Sequence, residues 1–270
     1  PMKKYILSTL FFSLATTLTY AHEPYVAPLS YITSNTQIPV ISAYAEQALQ
    51  AEYALKDMKF DVIQPDNSKI NVAVESKLKS ASIFDLALPQ EGTYIISSKT
   101  SYPLKYVQHN KEWKVLYDTP ADKAGDIKDR DYVVPSDFKK APTPIEVKRE
   151  WTIQSYVSKE KASTIQSKPD APIQVEFKQH PNQLIAQQPV QISITKDGKA
   201  IKNAELLVRS QGQKEDDATQ ITVDTNGLAT LNFPHAGQYL VEVSEKETKG
   251  AKPSNQHYTI ISLDVQPTTK

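Results

Sequence analysis

The chain has 270 residues, with 31 basic against 31 acidic side chains, 18 prolines, 7 glycines and no cysteine. That length accommodates two domains of ordinary size with a core each. The absence of cysteine excludes disulfides, thiolate metal sites and a thiol nucleophile, and the even charge balance argues against nucleic acid as partner.

Residues 1–21 read as a signal peptide. Lys3 and Lys4 form a positive start, Tyr5 to Leu18 is an apolar run, and Thr19-Tyr20-Ala21 supplies the small residues a signal peptidase reads. The run is too short to span a bilayer comfortably, and no later segment is long and apolar enough to do so. Cleavage after Ala21 predicts a periplasmic chain beginning at His22, with no membrane span.

Strands are predicted at Tyr25–Tyr31, blunted by Pro24 and Pro28, and at Gln37–Tyr44, where Ile38, Val40 and Ser42 share a face. Ala45–Leu55 holds strong helix formers and no breaker, and reads equally as a short helix or an extended excursion. Met58–Gln64, Ile70–Glu75, Ser82–Leu88 and Thr93–Ser98 are further strands, separated by turns at Pro65-Asp66-Asn67 and Gln90-Glu91-Gly92. Tyr102–Val107 and Trp113–Tyr117 form an aromatic hairpin around His109-Asn110-Lys111. Residues 118–144 are polar, hold four prolines and show no period, so a long loop over the first domain is expected. Ile145–Val157 alternates again, and 161–172 has the composition of an interdomain linker.

The second half alternates at Ile173-Val175-Phe177, Val190-Ile192-Ile194 and Ala204-Leu206-Val208, with a turn at Asp197-Gly198. Its clearest stretch is Ile221–Val243, where Ala229, Leu231 and Phe233, then Tyr239, Val241 and Val243, alternate between Asn226-Gly227 and Ala236-Gly237. A last strand lies at Tyr258–Val265. About seven short strands with close turns predict an immunoglobulin-like sandwich. The expected architecture is all-β: two immunoglobulin-like β-sandwich domains, at 22–160 and 173–270.

His22 is the sharpest chemical candidate. Once the signal peptide is removed, its α-amine and the Nδ1 of its ring chelate one divalent ion, and nitrogen donors suit nickel, copper and zinc. Glu23 would add an oxygen ligand or orient the first ligand. His109, at the hairpin tip, is the candidate second imidazole if the first domain folds back on its own N-terminus. His180, His235 and His257 read as turn or strand-end histidines, and no two histidines stand at ligand spacing. Tyr102, Tyr106, Trp113, Tyr117 and Tyr132 would form a stacking surface for a sugar or a chelated metal, though packing is the plainer account. Asp118, Asp122, Asp126, Asp129 and Asp131 do not match a calcium loop and read as solvated charges. No G-x-S-x-G, H-E-x-x-H or glycine-rich phosphate loop is present. Paired carboxylates, which meet only in space, stay open at this level.

Three segments of the second half carry a resemblance: I-Q-V-E-F-K-Q-H-P-N-Q-L, V-Q-I-S-I-T-K-D-G-K-A-I-K-N-A-E-L-L-V and D-T-N-G-L-A-T-L-N-F-P-H-A-G-Q-Y-L-V-E-V. With the leader-end sequence Ala21-His22-Glu23-Pro24-Tyr25, they resemble an uncharacterised periplasmic family associated with nickel and cobalt uptake. Where other members carry a tryptophan close behind the leading histidine, this chain has Tyr25. The resemblance implies a non-catalytic accessory that delivers nickel or cobalt to an envelope metal transporter or receptor, with no organic cofactor. Two other classes stand beside it. One is a structural or adhesive envelope module that docks protein by sheet edges or loops. The other is a copper enzyme of the histidine-brace kind, which requires a second histidine opposite His22.

Overall fold

The computed structural model describes residues 22–269, so the expected signal peptide and its cleavage site lie outside the described residues. β1 (Glu23–Pro28), β2 (Ile32–Thr33), β3 (Gln37–Ala45), β4 (Lys59–Ile63) and β5 (Lys69–Ala73) come first. β6 (Ser76–Lys77), β7 (Ser82–Ala87), the long β8 (Gly92–His109) and β9 (Glu112–Val115) follow. Next are α1 (Ala121–Ala124), β10 (Ile145–Lys159), β11 (Ile173–Phe177), β12 (Val190–Lys196) and β13 (Lys199–Ala200). The order ends with β14 (Ala204–Ser210), β15 (Thr219–Ile221), β16 (Leu228–Leu231), β17 (Gly237–Glu245) and β18 (Gln256–Val265). Among the described residues only the four of α1 are α-helical, and the all-β expectation holds.

The strands form three layers. A ten-stranded central sheet runs β15-β14-β17-β18-β10-β8-β4-β5, with β2 on β10 and β9 on β8. One outer sheet has the order β1-β3-β7-β6, and the other joins β11, β12, β13 and β16. Successive side chains on a strand point to opposite faces, and the two hydrophobic clusters separate by that rule. Tyr94, Ile96, Ile153, Leu240 and Ile260 pack with Tyr25, Val40 and Phe84 of the first outer sheet. Their neighbours Ile95, Tyr156, Val241 and Ile261 pack with Ile173, Ile192 and Leu231 of the second. Each outer sheet thus closes a sandwich on its own face of the central one.

The predicted alternation at Tyr239, Val241 and Val243 is present, but the residues between them are buried as well. β17 and β18 each contain five consecutive buried positions, and β10 contains eight. Strands covered on both faces lose the polar side of the alternation.

Strand β18 lies between the halves, pairing antiparallel with β17 and parallel with β10 over Arg149↔Gln256 to Ser155↔Ser262. The Ser262 hydroxyl donates to the Val26 carbonyl of β1 at 2.7 Å. Its Oγ lies 2.7 Å from that of Ser155. The D-T-N-G turn before β16 needs its glycine. Gly227 has φ +76°, and a Cβ there would stand 2.3 Å from the Ile194 carbonyl oxygen.

Two stretches without a clear strand period take definite forms. Residues 45–55 make no helix: Ala45 ends β3, Leu49 has positive φ, and Tyr44 bridges Tyr53. The amide of Ala48 donates to the Gln213 carbonyl at 2.9 Å, so tertiary pairing overrides the helix preference of this segment. Residues 118–144 hold α1 and two 3-10 turns, Ile127–Asp129 and Pro135–Asp137, and are ordered by a two-pronged contact. Arg130 donates to both oxygens of Asp137 at 2.8 and 2.9 Å, and Asp137 also accepts from the Val134 amide at 2.8 Å. The guanidinium holds the Asp137 carboxyl below its ordinary range.

Candidate metal centre

β1 and β3 pair antiparallel with Glu23 opposite Ala45. One step further along that register sets His22, just before β1, across from Glu46, just after Ala45. The Tyr44–Tyr53 bridge folds the following turn back and brings Glu52 to the same place. The result is a group of three: ligand atoms of His22, Glu46 and Glu52 all lie within 4.8 Å of one another. No other group of three metal-binding side chains is that close among the described residues.

Nε2 of His22 stands 2.6 Å from Oε2 of Glu52, with the two side chains 39% and 36% exposed. The same Glu52 oxygen accepts from the Glu46 amide at 3.3 Å. Tyr53 meets the imidazole edge-on, ring centroids 5.4 Å apart. Glu46 also pairs with Lys214 at 3.0 Å, which holds its carboxylate near the group while leaving it displaceable. One nitrogen and two carboxylate oxygens, half open to solvent, make a donor set suited to a divalent first-row ion.

The other two candidates lie apart from His22. Glu23 turns to the opposite side of β1, as strand geometry requires. Its Oε2 sits 2.5 Å from Nη2 of Arg209, with the side chains 8% and 1% exposed. His109, at the end of β8, packs edge-on against Phe138 with centroids 5.5 Å apart. The Asn110-Lys111 turn beside it has positive φ at both residues, the signature of a two-residue hairpin.

Arg209 serves a buried cluster that strand patterning left unnoticed. Arg209 is on β14 and Glu242 on β17, where Leu207 pairs with Glu242 and Arg209 with Leu240. Glu242 is 4% exposed. No N–H or hydroxyl donor reaches its Oε2, and Nη1 of Arg209 is likewise without a partner. Burial, then the charge of Glu23 and a hydrogen bond with that carboxyl, push the Glu242 carboxyl well above its ordinary range, with Arg209 opposing.

His180 has no catalytic arrangement. Its Nδ1 accepts from the Asn182 amide at 3.0 Å, so Nε2 carries the proton and donates to Thr93 Oγ1 at 2.9 Å. A ring that donates to the hydroxyl cannot take that hydroxyl's proton. The same network ties Thr93 to Ser158 and Ser163 beside a 440 Å³ cavity. It fastens Ser163, between β10 and β11, onto β8 of the central sheet. His257 stands 3.6 Å from Glu150, and His235 lies in the turn clasped by the Tyr239 hydroxyl.

Sequence reasoning missed Glu46 and Glu52 because it placed them on a possible helix. The register of β1 on β3 was the available signal for Glu46. Arg209 and Glu242 occupy the outward positions of apparently one-sided strands, where charge is ordinary.

The arrangement is that of an all-β protein whose first described residue joins a half-exposed His–Glu–Glu group. Residues 19–247 match the family model described as a domain of unknown function, DUF4198, and the chain belongs to that family. No curated protein matches it in sequence. Among solved structures it is similar to the tetra-tandem repeat in the extending region of a large adhesion protein, at 8% identity and TM-score 0.25. That alignment covers 91% of this chain and 49% of the repeat structure, so the chain spans about half its length. It is also similar to the D0-D1 domain of intimin, at 12% identity and TM-score 0.22, covering 89% of this chain and 97% of that one. The chicken CNTN1 FN1-FN3 domains match at 10% identity and TM-score 0.25, covering 90% of this chain and 67% of that one. Among the described residues no helix is long and apolar enough to cross a membrane.

Proposed function

We propose that this chain is an exported, non-catalytic metal-binding accessory. It takes up a divalent ion of the nickel–cobalt class at His22 and Glu46, with Glu52 orienting the imidazole, and yields it to an envelope uptake system. The observation that carries the reading is the convergence of these three side chains within 4.8 Å.

The residues fit such an ion in two respects. The imidazole nitrogen is the donor that late first-row ions favour, and the carboxylates neutralise the charge. Glu52 on Nε2 also selects the tautomer with a proton there, which leaves the Nδ1 lone pair free. With cleavage after Ala21, the new α-amine and Nδ1 lie on one residue and chelate together, with Glu46 beside them. Half-exposure and the small number of protein ligands favour release to a partner over permanent storage. Because the ligands must shed protons to bind, uptake weakens on acidification.

The test is calorimetric titration of Ni²⁺, Co²⁺ and Cu²⁺ into the chain beginning at His22 and into a form carrying one extra residue before it. Micromolar or tighter binding that is lost on extension supports the terminal chelate. Equal, weak binding in both forms overturns it and leaves a protein-docking envelope module as the better account. A histidine-brace copper enzyme needs a second imidazole, and the group at His22 instead offers the carboxylates of Glu46 and Glu52.

A further inference from the structure

Behind Glu23, on the face of the central sheet turned toward the first outer sheet, lies a notch of about 370 Å³. Its floor follows from register. Glu205 pairs with Ser244, and Ser244 with Tyr258, so these side chains share one face with Glu242 two residues along β17. Glu215 enters from the 3-10 turn Glu215–Asp217, and residues 245–247 form the rim.

Two rim carboxylates are already engaged. Glu245 pairs with Lys196, and Glu247 accepts from the Gln256 amide. Glu242 differs from them. It is 4% exposed, lines the notch, and has an oxygen that no donor reaches. Around it, one guanidinium, Arg209, faces the carboxyls of Glu23, Glu242 and Glu215, with Glu205 close by and Lys246 the one lysine on the rim. A single guanidinium among three carboxyls leaves an excess of acidic groups facing the cavity, and the Glu242 oxygen that no donor reaches is a place for a cation.

The cavity's size and shape choose the kind of cation. Among the described residues only the His22 group gathers three ligand atoms within 4.8 Å, so the notch carboxylates do not converge three at a time on a bare ion. The space is an order of magnitude larger than one water's share of the liquid, about 30 Å³. Tyr258, one face of whose ring stacks on Trp151 at 5.2 Å, also lines the notch, and aromatic rings attract ammonium and guanidinium groups.

We propose that this notch binds an organic cation, a primary ammonium or guanidinium group, with Glu242 as the deep anchor and Glu205 and Glu215 flanking the entrance. The same chemistry is offered by a free small amine and by a basic side chain of a protein partner.

The experiment is titration of agmatine, calcium chloride and a trilysine peptide, each at pH 7.5, into the full chain and into E242Q and E205Q. Saturable agmatine binding is expected, weakened at least tenfold by E242Q and severalfold by E205Q. A peptide that binds more tightly than agmatine assigns the cation to a partner's side chain, and the reverse assigns it to a free amine. Either order upholds the site. No agmatine or peptide binding by the unaltered chain overturns the proposal, as does agmatine binding that both variants leave unchanged. Calcium binding with the same sensitivity to E242Q, without agmatine binding, also overturns it in favour of an inorganic ion. The E242Q change keeps the shape and hydrogen-bonding capacity of a protonated glutamate. Should the melting temperature of that variant nevertheless collapse, the half-exposed Glu205 position carries the test alone.

Discussion

Glu52 meets the Nε2 atom of His22 at 2.6 Å, although thirty residues separate them along the chain. The contact exists because the Tyr44–Tyr53 bridge folds the turn after β3 back over the start of β1. An acceptor on one ring nitrogen sets the tautomer and aims the other.

Glu52→Gln keeps the length and polarity of the side chain but removes the charge that orients the ring. Nickel affinity should fall by about 10- to 100-fold, the usual effect of losing an orienting partner. His22→Ala should abolish binding. Neither substitution should shift the melting temperature appreciably, because both groups are half-exposed. Calorimetric titration beside thermal melting checks this, and an E52Q protein that binds like the original would remove Glu52 from the site.

Ile95 and Ile96 are adjacent on β8, yet they belong to opposite cores and are 3% and 0% exposed. Ile95→Ala and Ile96→Ala should each cost about 2–5 kcal/mol in urea unfolding. If either were nearly neutral, one face of the central sheet would be uncovered at that point.

Arg209 compensates buried carboxylates at a depth where solvent cannot replace it. Arg209→Met should destabilise the chain by about 3–5 kcal/mol, because it strands Glu23 and Glu242. The triple change of Glu23→Gln, Arg209→Met and Glu242→Gln should recover most of that loss. Denaturant midpoints of the two proteins decide whether the charge, and not merely the volume, of Arg209 matters.

The Glu242 carboxyl is raised well above its ordinary 4.5 by burial, then by Glu23, with Arg209 and Glu215 the other charges facing it. A folded state that keeps a proton the unfolded chain would release loses stability as pH climbs from about 4.5 toward the raised value. Glu242→Gln has no proton to lose. It should therefore melt close to the unaltered protein near pH 4.5 and above it at pH 8. A gap in melting temperature that stays constant across this range would assign the proton elsewhere.

The strands were legible because period-two alternation and Asn-Gly or Asp-Gly turns are local signals. Tyr239, Val241 and Val243 announced their face, and Asp197-Gly198 its turn. The second buried face was not legible. Leu240 and Glu242 sit in the polar phase of that alternation, and only the strands packed above them, from Glu23 onward, show that the phase is buried. His22 could be singled out from its own two nitrogens. Glu46 and Glu52 belong to a run whose helix formers pointed the wrong way, since pairing of Ala48 with Gln213 is invisible to propensity. Glu23 was placed correctly in sequence beside His22, but strand geometry turns its carboxylate to the other side.

The parallel pairing of β10 with β18 joins residues far apart in the chain, Arg149 with Gln256 and Ser155 with Ser262. Until residues 256–265 arrive, β10 presents its β18-facing edge over Arg149–Ser155 without that partner, and β17 likewise lacks its neighbour. A chain delivered from its N-terminus must therefore hold an unfinished sheet, with open backbone donors and acceptors, from the completion of β10 at Lys159 until Gln256 arrives. Closure of both sandwiches then depends on one late strand, so a nascent chain halted before residue 256 presents adhesive edges where the finished protein has a continuous interior.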